Sequence, residues 1–280
     1  MNRIVLLVFS SLMLLQGGIY GQNKTQAKES FSIAFYNVEN LFDTIDDPNV
    51  RDNEFTPTSE KEWSTERYNK KISDLARVLS SFHKEKLPAL IGLAETENEK
   101  VLQDLKNDSA LKSIPYQIVH YNSPDERGID VSLLYNSSLF NVIKSRSFPI
   151  VFPFDKETKV RDILYVKGKS CDDTIHVFVN HWKSRYGGKD ETEPKRVYSA
   201  RVLKSKTDSI FTQNPEAKIV IIGDFNDEPV DKSLGKILEA GPPDSSDYKL
   251  YNLMWPMDHE GKGTYNYRYE WFMLDNFIVS

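Results

Sequence analysis

Short apolar segments recur along this chain, and most of them close on a polar or charged residue. That pattern limits the fold to one built around strands. Phe31 to Val38 alternates apolar and polar side chains, the period-two signature of a half-buried strand. Ala89 to Ala94 is a continuous apolar run, short enough to be a buried strand. Tyr116 to Tyr121, Ile129 to Tyr135, Phe140 to Val151, Val160 to Lys167 and Thr174 to Asn180 then follow one another with no helical pattern between them. Such a succession predicts antiparallel pairing rather than a doubly wound parallel sheet. Lys218 to Ile222, Thr264 to Tyr267 and Leu274 to Val279 complete the set. Helices are expected at Glu66 to His83, Glu97 to Ala110 and Glu193 to Phe211, the first presenting Tyr68, Ile72, Leu75, Ala76, Leu79 and Phe82 on one face. Leu41 to Thr65, rich in Asp and Asn, reads as a surface loop. No linker divides the chain, so a single α/β domain is expected, with helices flanking two mixed sheets.

At 280 residues the chain is long enough for one sizeable core. Cys171 is the only cysteine, so no intrachain disulfide can form, and no Cys/His spacing suits structural zinc. The formal charge of −5 lowers the expectation of a surface that wraps nucleic acid, while leaving room for a local basic patch. Arg3, the apolar run Ile4 to Leu15 and the small residues Gly17, Gly18 and Gly21 read as a secretory signal peptide over residues 1–21, cut after Gly21. The run is short for a membrane span, so export to a periplasm or the exterior without stable membrane insertion is expected, with an uncleaved anchor as the competing reading. The product is expected to be monomeric.

Four strand ends carry chemistry. Gly223-Asp224-Phe225-Asn226 follows the apolar strand Lys218 to Ile222. Alternation along an extended chain would send Asp224 and Asn226 to the same side. There the Asp can orient a water or accept a proton, and the Asn can donate to a phosphate oxygen. An Asx-type turn is the plainer reading of the same residues. Asn37 stands where the first strand ends, and Glu95 closes the buried strand Ala89 to Ala94; a single carboxylate with water and substrate oxygens is a usual Mg²⁺ environment. His181, followed by Lys183 and Arg185, suits a phosphate oxyanion. His83, His120 and His176 are expected to be structural or exposed.

The segments YNVEN, LAETEN, RGIDVSLLY, NHWKSR, GDFNDEP and EWFMLDNFIVS, in that order from about Phe31 to Ser280, resemble the endonuclease/exonuclease/phosphatase superfamily, the deoxyribonuclease I-like phosphoesterases, and within it a secreted bacterial branch. The resemblance implies a four-layer sandwich of two mostly antiparallel mixed sheets flanked by helices, with the site at one rim. It implies Glu95 as the principal Mg²⁺ ligand, with Mn²⁺ as an alternative ion, and Asn37 beside it. Asp224 and Asn226 match the pair that polarises the nucleophile and holds the phosphoryl oxygen. His181 matches the first family histidine, Asp130 is a candidate to orient it, and Asp275 matches the Asp that hydrogen-bonds a second catalytic histidine. That histidine belongs to a Ser-Asp-His segment after the Asp275 strand, which this sequence does not match, so the domain over 22–280 is expected to be C-terminally incomplete. Asp258-His259, the only Asp-His pair, precedes that strand.

The leading expectation is a Mg²⁺-dependent phosphoester hydrolase acting on a nucleic acid, a nucleotide or another phosphoester. The alternative is an impaired phosphate-binding or interaction domain, or a fragment of a longer active enzyme.

Overall fold

The structure, a computed structural model, describes residues 32–82 and 87–280. The signal-peptide reading and His83 lie outside these residues. Strands β1 (Ile33–Leu41), β2 (Leu90–Thr96), β3 (Tyr116–His120) and β4 (Asp130–Asn136) form one sheet in the order β1-β2-β4-β3. Strands β5 (Asn141–Phe148), β6 (Ile163–Ser170), β7 (Asp173–His181), β8 (Lys218–Asp224), β9 (Ala240–Gly241) and β10 (Leu250–Asn252) belong to the second. A separate hairpin, β11 (Tyr265–Tyr267) and β12 (Glu270–Phe272), precedes β13 (Asp275–Val279), which joins the second sheet between β8 and β10. Most pairs are antiparallel; β1 with β2, β7 with β8, and β9 with β10 are parallel.

The helices are α1 (Thr65–Ser80), α2 (Glu99–Asn107), α3 (Lys189–Gln213) and the short α4 (Trp255–His259). Side-chain caps explain where the first two begin: Ser64 accepts from the Arg67 amide at 3.3 Å and Asn98 from the Val101 amide at 3.0 Å.

Period-two burial sorts these elements into four layers. In β2, Ile91 and Leu93 point outward to Tyr68, Ile72 and Leu79 of α1 and to Val101 and Leu105 of α2. Leu90 and Ala94 point the other way, against Val166, Val177, Val179 and Ile222 of the second sheet. In β8, Ile219 and Ile221 face Ala200, Leu203 and Phe211 of α3. A strand covered on both faces must be apolar throughout, which is why β2 reads as a continuous run. The sheets approach closely at Gly92, where a Cβ would stand 2.6 Å from Ile222 Cδ1.

The segment from 41 to 65 departs from the surface-loop expectation. Phe42, Phe55 and Trp63 are buried, with Phe42 stacked on Phe55 at 4.2 Å and Trp63 edge-on to Phe55 at 5.8 Å. The Trp63 indole also donates to the Phe42 carbonyl at 3.1 Å. Three aromatic residues at irregular spacing bury area without leaving a periodic trace.

A buried ion pair ties α3 to the turn after β8: Arg196 Nε donates to Asp227 Oδ1 at 2.6 Å, and both side chains are closed to solvent. Asp227 also accepts from Ser233 at 2.6 Å. Removing one partner strands a buried charge, so Asp227→Ala should lower unfolding free energy by about 3–5 kcal/mol. Urea unfolding measures this; a loss under about 1 kcal/mol, the size of an exposed pair, would contradict it.

Candidate active site

The second sheet sets three polar residues side by side. β7 runs parallel to β8 with His181 opposite Asp224, and β13 runs antiparallel to β8 with Asp275 opposite the same Asp224. The strands can close here because position 223 is glycine: a Cβ there would meet the Asn180 carbonyl oxygen at 2.2 Å. From the first sheet come Asn37, which lies within β1 at a break in its pairing and not at the strand end the sequence suggests, and Glu95 near the end of β2. Asn37 Nδ2 donates across the gap to Asp224 Oδ2 at 3.1 Å. His181 Nε2 lies 3.9 Å from Glu95 Oε1 and 3.8 Å from Asp224 Oδ2, so it faces the space between the two carboxylates. Both first-sheet strands slip register here, between Asn37 and Leu41 and between Ala94 and Thr96. Glu39, Asn40 and Glu95 take positive φ of 54°, 62° and 66°. Bulges of this kind re-aim side chains at strand ends, and left-handed backbone at non-glycine residues is held only where the surroundings enforce it.

Arg161 fixes the strand end that carries His181. It is buried, donates to the His181 carbonyl at 3.2 Å and to the Trp182 carbonyl at 2.5 Å, and pairs with Asp125 at 2.9 Å. Arg127 reaches Glu95 Oε2 at 3.5 Å and bonds to the Asn40 side chain. Neither arginine carried a distinguishing signal. Arg127 sits within RGIDVSLLY, a segment read for its Asp, and Arg161 stands alone at the start of a predicted strand.

Burial governs the protonation of the site. It pushes the Asp224 carboxyl up to about 7, with the negative charge of Asp275 adding to the effect; the Asn226 amide, the Asn37 side chain and Arg161 pull the other way. Burial likewise pushes Asp275 up to about 6, against a hydrogen bond from Thr264. The two carboxyls titrate as a pair. His181 is 3% exposed, and burial, then Arg161 and Arg127, hold it well below its usual basicity. Its ring is therefore neutral, and Nδ1 has no hydrogen-bond partner among the described residues.

Three sequence expectations need correction. Asn226 does not follow Asp224 along an extended strand. β8 ends at Asp224, Asn226 takes φ of 52°, its amide donates to Asp224 Oδ1 at 3.0 Å, and its Nδ2 donates to the Trp182 carbonyl at 3.2 Å. The Asx turn and the site residue are thus one feature. Asp130 does not orient His181; it bonds His120 Nε2 at 2.9 Å and the Ser123 amide at 2.9 Å, because β3 and β4 are neighbours. Arg185 turns to acidic partners, Asp231 at 2.9 Å and Glu228 at 3.2 Å, and donates to the Asn226 carbonyl at 2.8 Å. It shapes the Asn226 turn rather than facing a phosphate. Lys183 is half-buried, and burial with the nearby Arg161 and Lys195 lowers its basicity. Asp258-His259 forms the short helix α4, and His176 bonds Tyr165.

Among the described residues no three His, Cys, Asp or Glu side chains converge as a ready-made cation cage. The donor set fits a different arrangement. Glu95 and Asn37 are hard oxygen donors on neighbouring strands, and Mg²⁺ is commonly held by one or two carboxylates with water and substrate oxygens completing its shell.

A four-layer α/β sandwich with acidic, amide and imidazole groups gathered at one end of both sheets has the architecture of phosphoester hydrolases. The model of the Endonuclease/Exonuclease/phosphatase family matches residues 32–280, and the chain belongs to that family. Its members hydrolyse phosphoesters and typically use divalent metal ions. A comparison with curated protein sequences returned no match. Among solved structures, a humanized D. rerio TDP2 is 16% identical, covers 89% of this chain and 82% of its own, and has a TM-score of 0.56. The Bacteroides thetaiotaomicron mannosyl-6-phosphatase is 14% identical over 90% of this chain and 85% of its own, with a TM-score of 0.54. The human nocturnin catalytic domain with bound sulfate is 18% identical over 69% of each chain, with a TM-score of 0.52. At these identities the likeness concerns the fold.

The raised Asp224 carboxyl makes a pH prediction for metal-free protein. Its folded value, about 7, exceeds the ordinary 3.8, so its contribution to stability is full below 3.8 and is lost as pH rises to about 7. His181 acts oppositely, since its depressed basicity favours the fold as pH rises toward 6.5. Comparing wild type with Asp224→Asn cancels the groups remote from Asp224 and leaves the carboxyl as the dominant difference. In EDTA, the stability of the variant relative to wild type should grow by on the order of 1 kcal/mol per pH unit between pH 4 and 7 and then level. A difference independent of pH in urea unfolding would contradict this.

Proposed function

We propose that this chain is an exported, Mg²⁺-dependent phosphoester hydrolase whose reaction centre lies between Glu95, Asn37, His181 and Asp224. The observation that carries the reading is the meeting of four strands from two sheets at these residues, with His181 Nε2 within 3.9 Å of both carboxylates. Glu95, with Asn37, would hold the ion; bound there, Mg²⁺ supplies Lewis-acid polarisation of a phosphoryl oxygen. Asp224 orients the attacking water and takes its proton while the bond from phosphorus to the ester oxygen breaks, the departing oxygen taking a proton from solvent, a role suited to a carboxyl poised near neutrality. Neutral His181 donates one N–H to a phosphoryl oxygen, and Lys183 supplies the nearby positive charge. The second hydrogen of the Asn226 amide, beyond the one given to Trp182, is available to the same oxygens.

Structural neighbours act on or hold several kinds of ester or anion: a D. rerio TDP2 is complexed with single-strand DNA product, another neighbour is a mannosyl-6-phosphatase, and nocturnin holds sulfate. The phosphoester centre is common to these readings. Export rests on Arg3 and the apolar run Ile4 to Leu15; among the described residues no helix is long and apolar enough to cross a membrane. A second reading, phosphate binding without turnover, draws on Asp275, whose hydrogen-bond partner among the described residues is Thr264 rather than a histidine.

The test uses the chain over 22–280 with Mg²⁺, bis(p-nitrophenyl) phosphate and plasmid DNA. Glu95→Gln and Asp224→Asn should each lower kcat by about 10²–10⁴-fold while the thermal unfolding temperature stays within a few degrees or rises. Turnover that survives Glu95→Gln, or needs no divalent ion, defeats the proposal. Phosphate binding that Glu95→Gln abolishes, without any turnover in wild type, supports the second reading.

A further inference from the structure

The turn between β3 and β4 brings to the reaction centre an arginine that the proposed reaction does not use. Arg127 Nη2 lies 3.5 Å from Glu95 Oε2 and bonds to the Asn40 side chain. Its charge reaches His181 as well: after burial and Arg161, it is the third influence holding that ring below its usual basicity. The guanidinium therefore stands beside the space that Glu95 and His181 share.

The backbone of this turn is fixed. The Arg127 amide donates to Asp125 Oδ1 at 2.9 Å, and Asp125 Oδ2 accepts from Arg161 Nη1 at 2.9 Å. Arg161 also holds the His181 and Trp182 carbonyls, so the turn bearing Arg127 and the strand end bearing His181 hang from one buried guanidinium. On the other flank the Arg51 amide donates to the Glu126 carbonyl at 2.7 Å. The Arg127 side chain is held far less firmly, at 44% exposed against 5% for Arg161. Among the described residues both of its side-chain contacts run through Nη2, and the one to Glu95 is long. It lacks the two parallel bonds that an arginine and a carboxylate form when they pair permanently. A fixed root and a loosely held planar cation suit a group that changes partners.

We propose that Arg127 is a further catalytic residue, which leaves Glu95 when that carboxylate takes up an ion and binds a non-bridging phosphoryl oxygen of the substrate. The inference rests on the phosphoester reading and adds a residue to it. With Glu95 given over to an ion, the guanidinium loses its attraction to the carboxylate and is repelled by the new charge. A phosphoryl group offers paired oxygens that match the arginine fork, whereas Lys183 presents a point charge on a flexible stem. Donors already aimed at the oxygens where charge develops stabilise the transition state more than the ground state.

The full chain is compared with Arg127→Ala and Arg127→Lys by three readouts. These are Mn²⁺ affinity by electron paramagnetic resonance, inorganic phosphate affinity in saturating Mg²⁺ by calorimetry, and turnover of bis(p-nitrophenyl) phosphate. Arg127→Ala should keep or tighten Mn²⁺ binding, because Glu95 loses a competing cation. It should weaken phosphate binding by about 10–100-fold and lower kcat by about 10²–10³-fold. Added guanidinium ion should restore part of that turnover, and Arg127→Lys should fall between Arg127→Ala and wild type. An arginine that merely props Glu95 and Asn40 would give weaker Mn²⁺ binding in Arg127→Ala and no response to guanidinium, and that result overturns the proposal. So does an Arg127→Ala protein with phosphate affinity and kcat unchanged, which leaves the hydrolase reading standing. Phosphate binding that depends on Arg127 in a wild type without turnover upholds the arginine and rejects the hydrolase reading. A wild type that neither binds phosphate nor turns over rejects both.

Discussion

Like charges held close together out of water are the constraint on which the rest of this structure turns. Asp224 and Asp275 stand opposite each other across an antiparallel pair, with Glu95 approaching from the other sheet and a neutral histidine between. Burial raises the Asp224 and Asp275 carboxyls and, with Arg161 and Arg127, suppresses the His181 imidazole, so the arrangement persists only if the scaffold around it is rigid. It also leaves a place where positive charge is welcome, and phosphoester chemistry supplies that in a metal ion and cationic side chains.

The scaffold answers with polar clamps placed just behind the reacting groups. Arg161 grips the two carbonyls that follow β7, and Arg185 grips the Asn226 carbonyl while Glu228 and Asp231 hold its other end. Asn276, fully within β13, donates to the carbonyls of Asp227 and Met273 and accepts from Asn252. Arg196 and Asp227 lock the turn to α3. The Arg161, Arg185 and Asn276 clamps act on backbone carbonyls, so the turn geometry at Asp224 and Asn226 is over-determined, and a left-handed asparagine is tolerated there.

How much of this is legible in the sequence depends on whether a feature is local. Strand positions follow from period-two burial, and β2, β4, β7 and β8 lie close to where alternation and apolar runs predict them. The strand ends carrying Glu95, His181 and Asp224 follow with them, because the polar residue that closes each run is visible, whereas β1 runs on past Asn37 to Leu41 through a register break that alternation does not mark. For Asn226 the alternation reading fails, since alternation extends only as far as the strand, which ends two residues earlier, while the Asx-turn reading stands. Asp130 was misassigned because its partner is set by register: β3 runs beside β4, which puts His120 within reach. Arg161 and the Phe42, Phe55 and Trp63 cluster depend on long-range packing, and neither periodicity nor a motif marks them. Family resemblance supplied the roles; packing supplied the clamps.

The most direct test of the central claim is a crystal structure of the chain with Mn²⁺, located by its anomalous scattering. The account predicts an ion on a Glu95 carboxylate oxygen, in the space that His181 Nε2 and Asp224 face. Mn²⁺ seen elsewhere, with Glu95 uncoordinated in a protein that still hydrolyses phosphoesters, would contradict it.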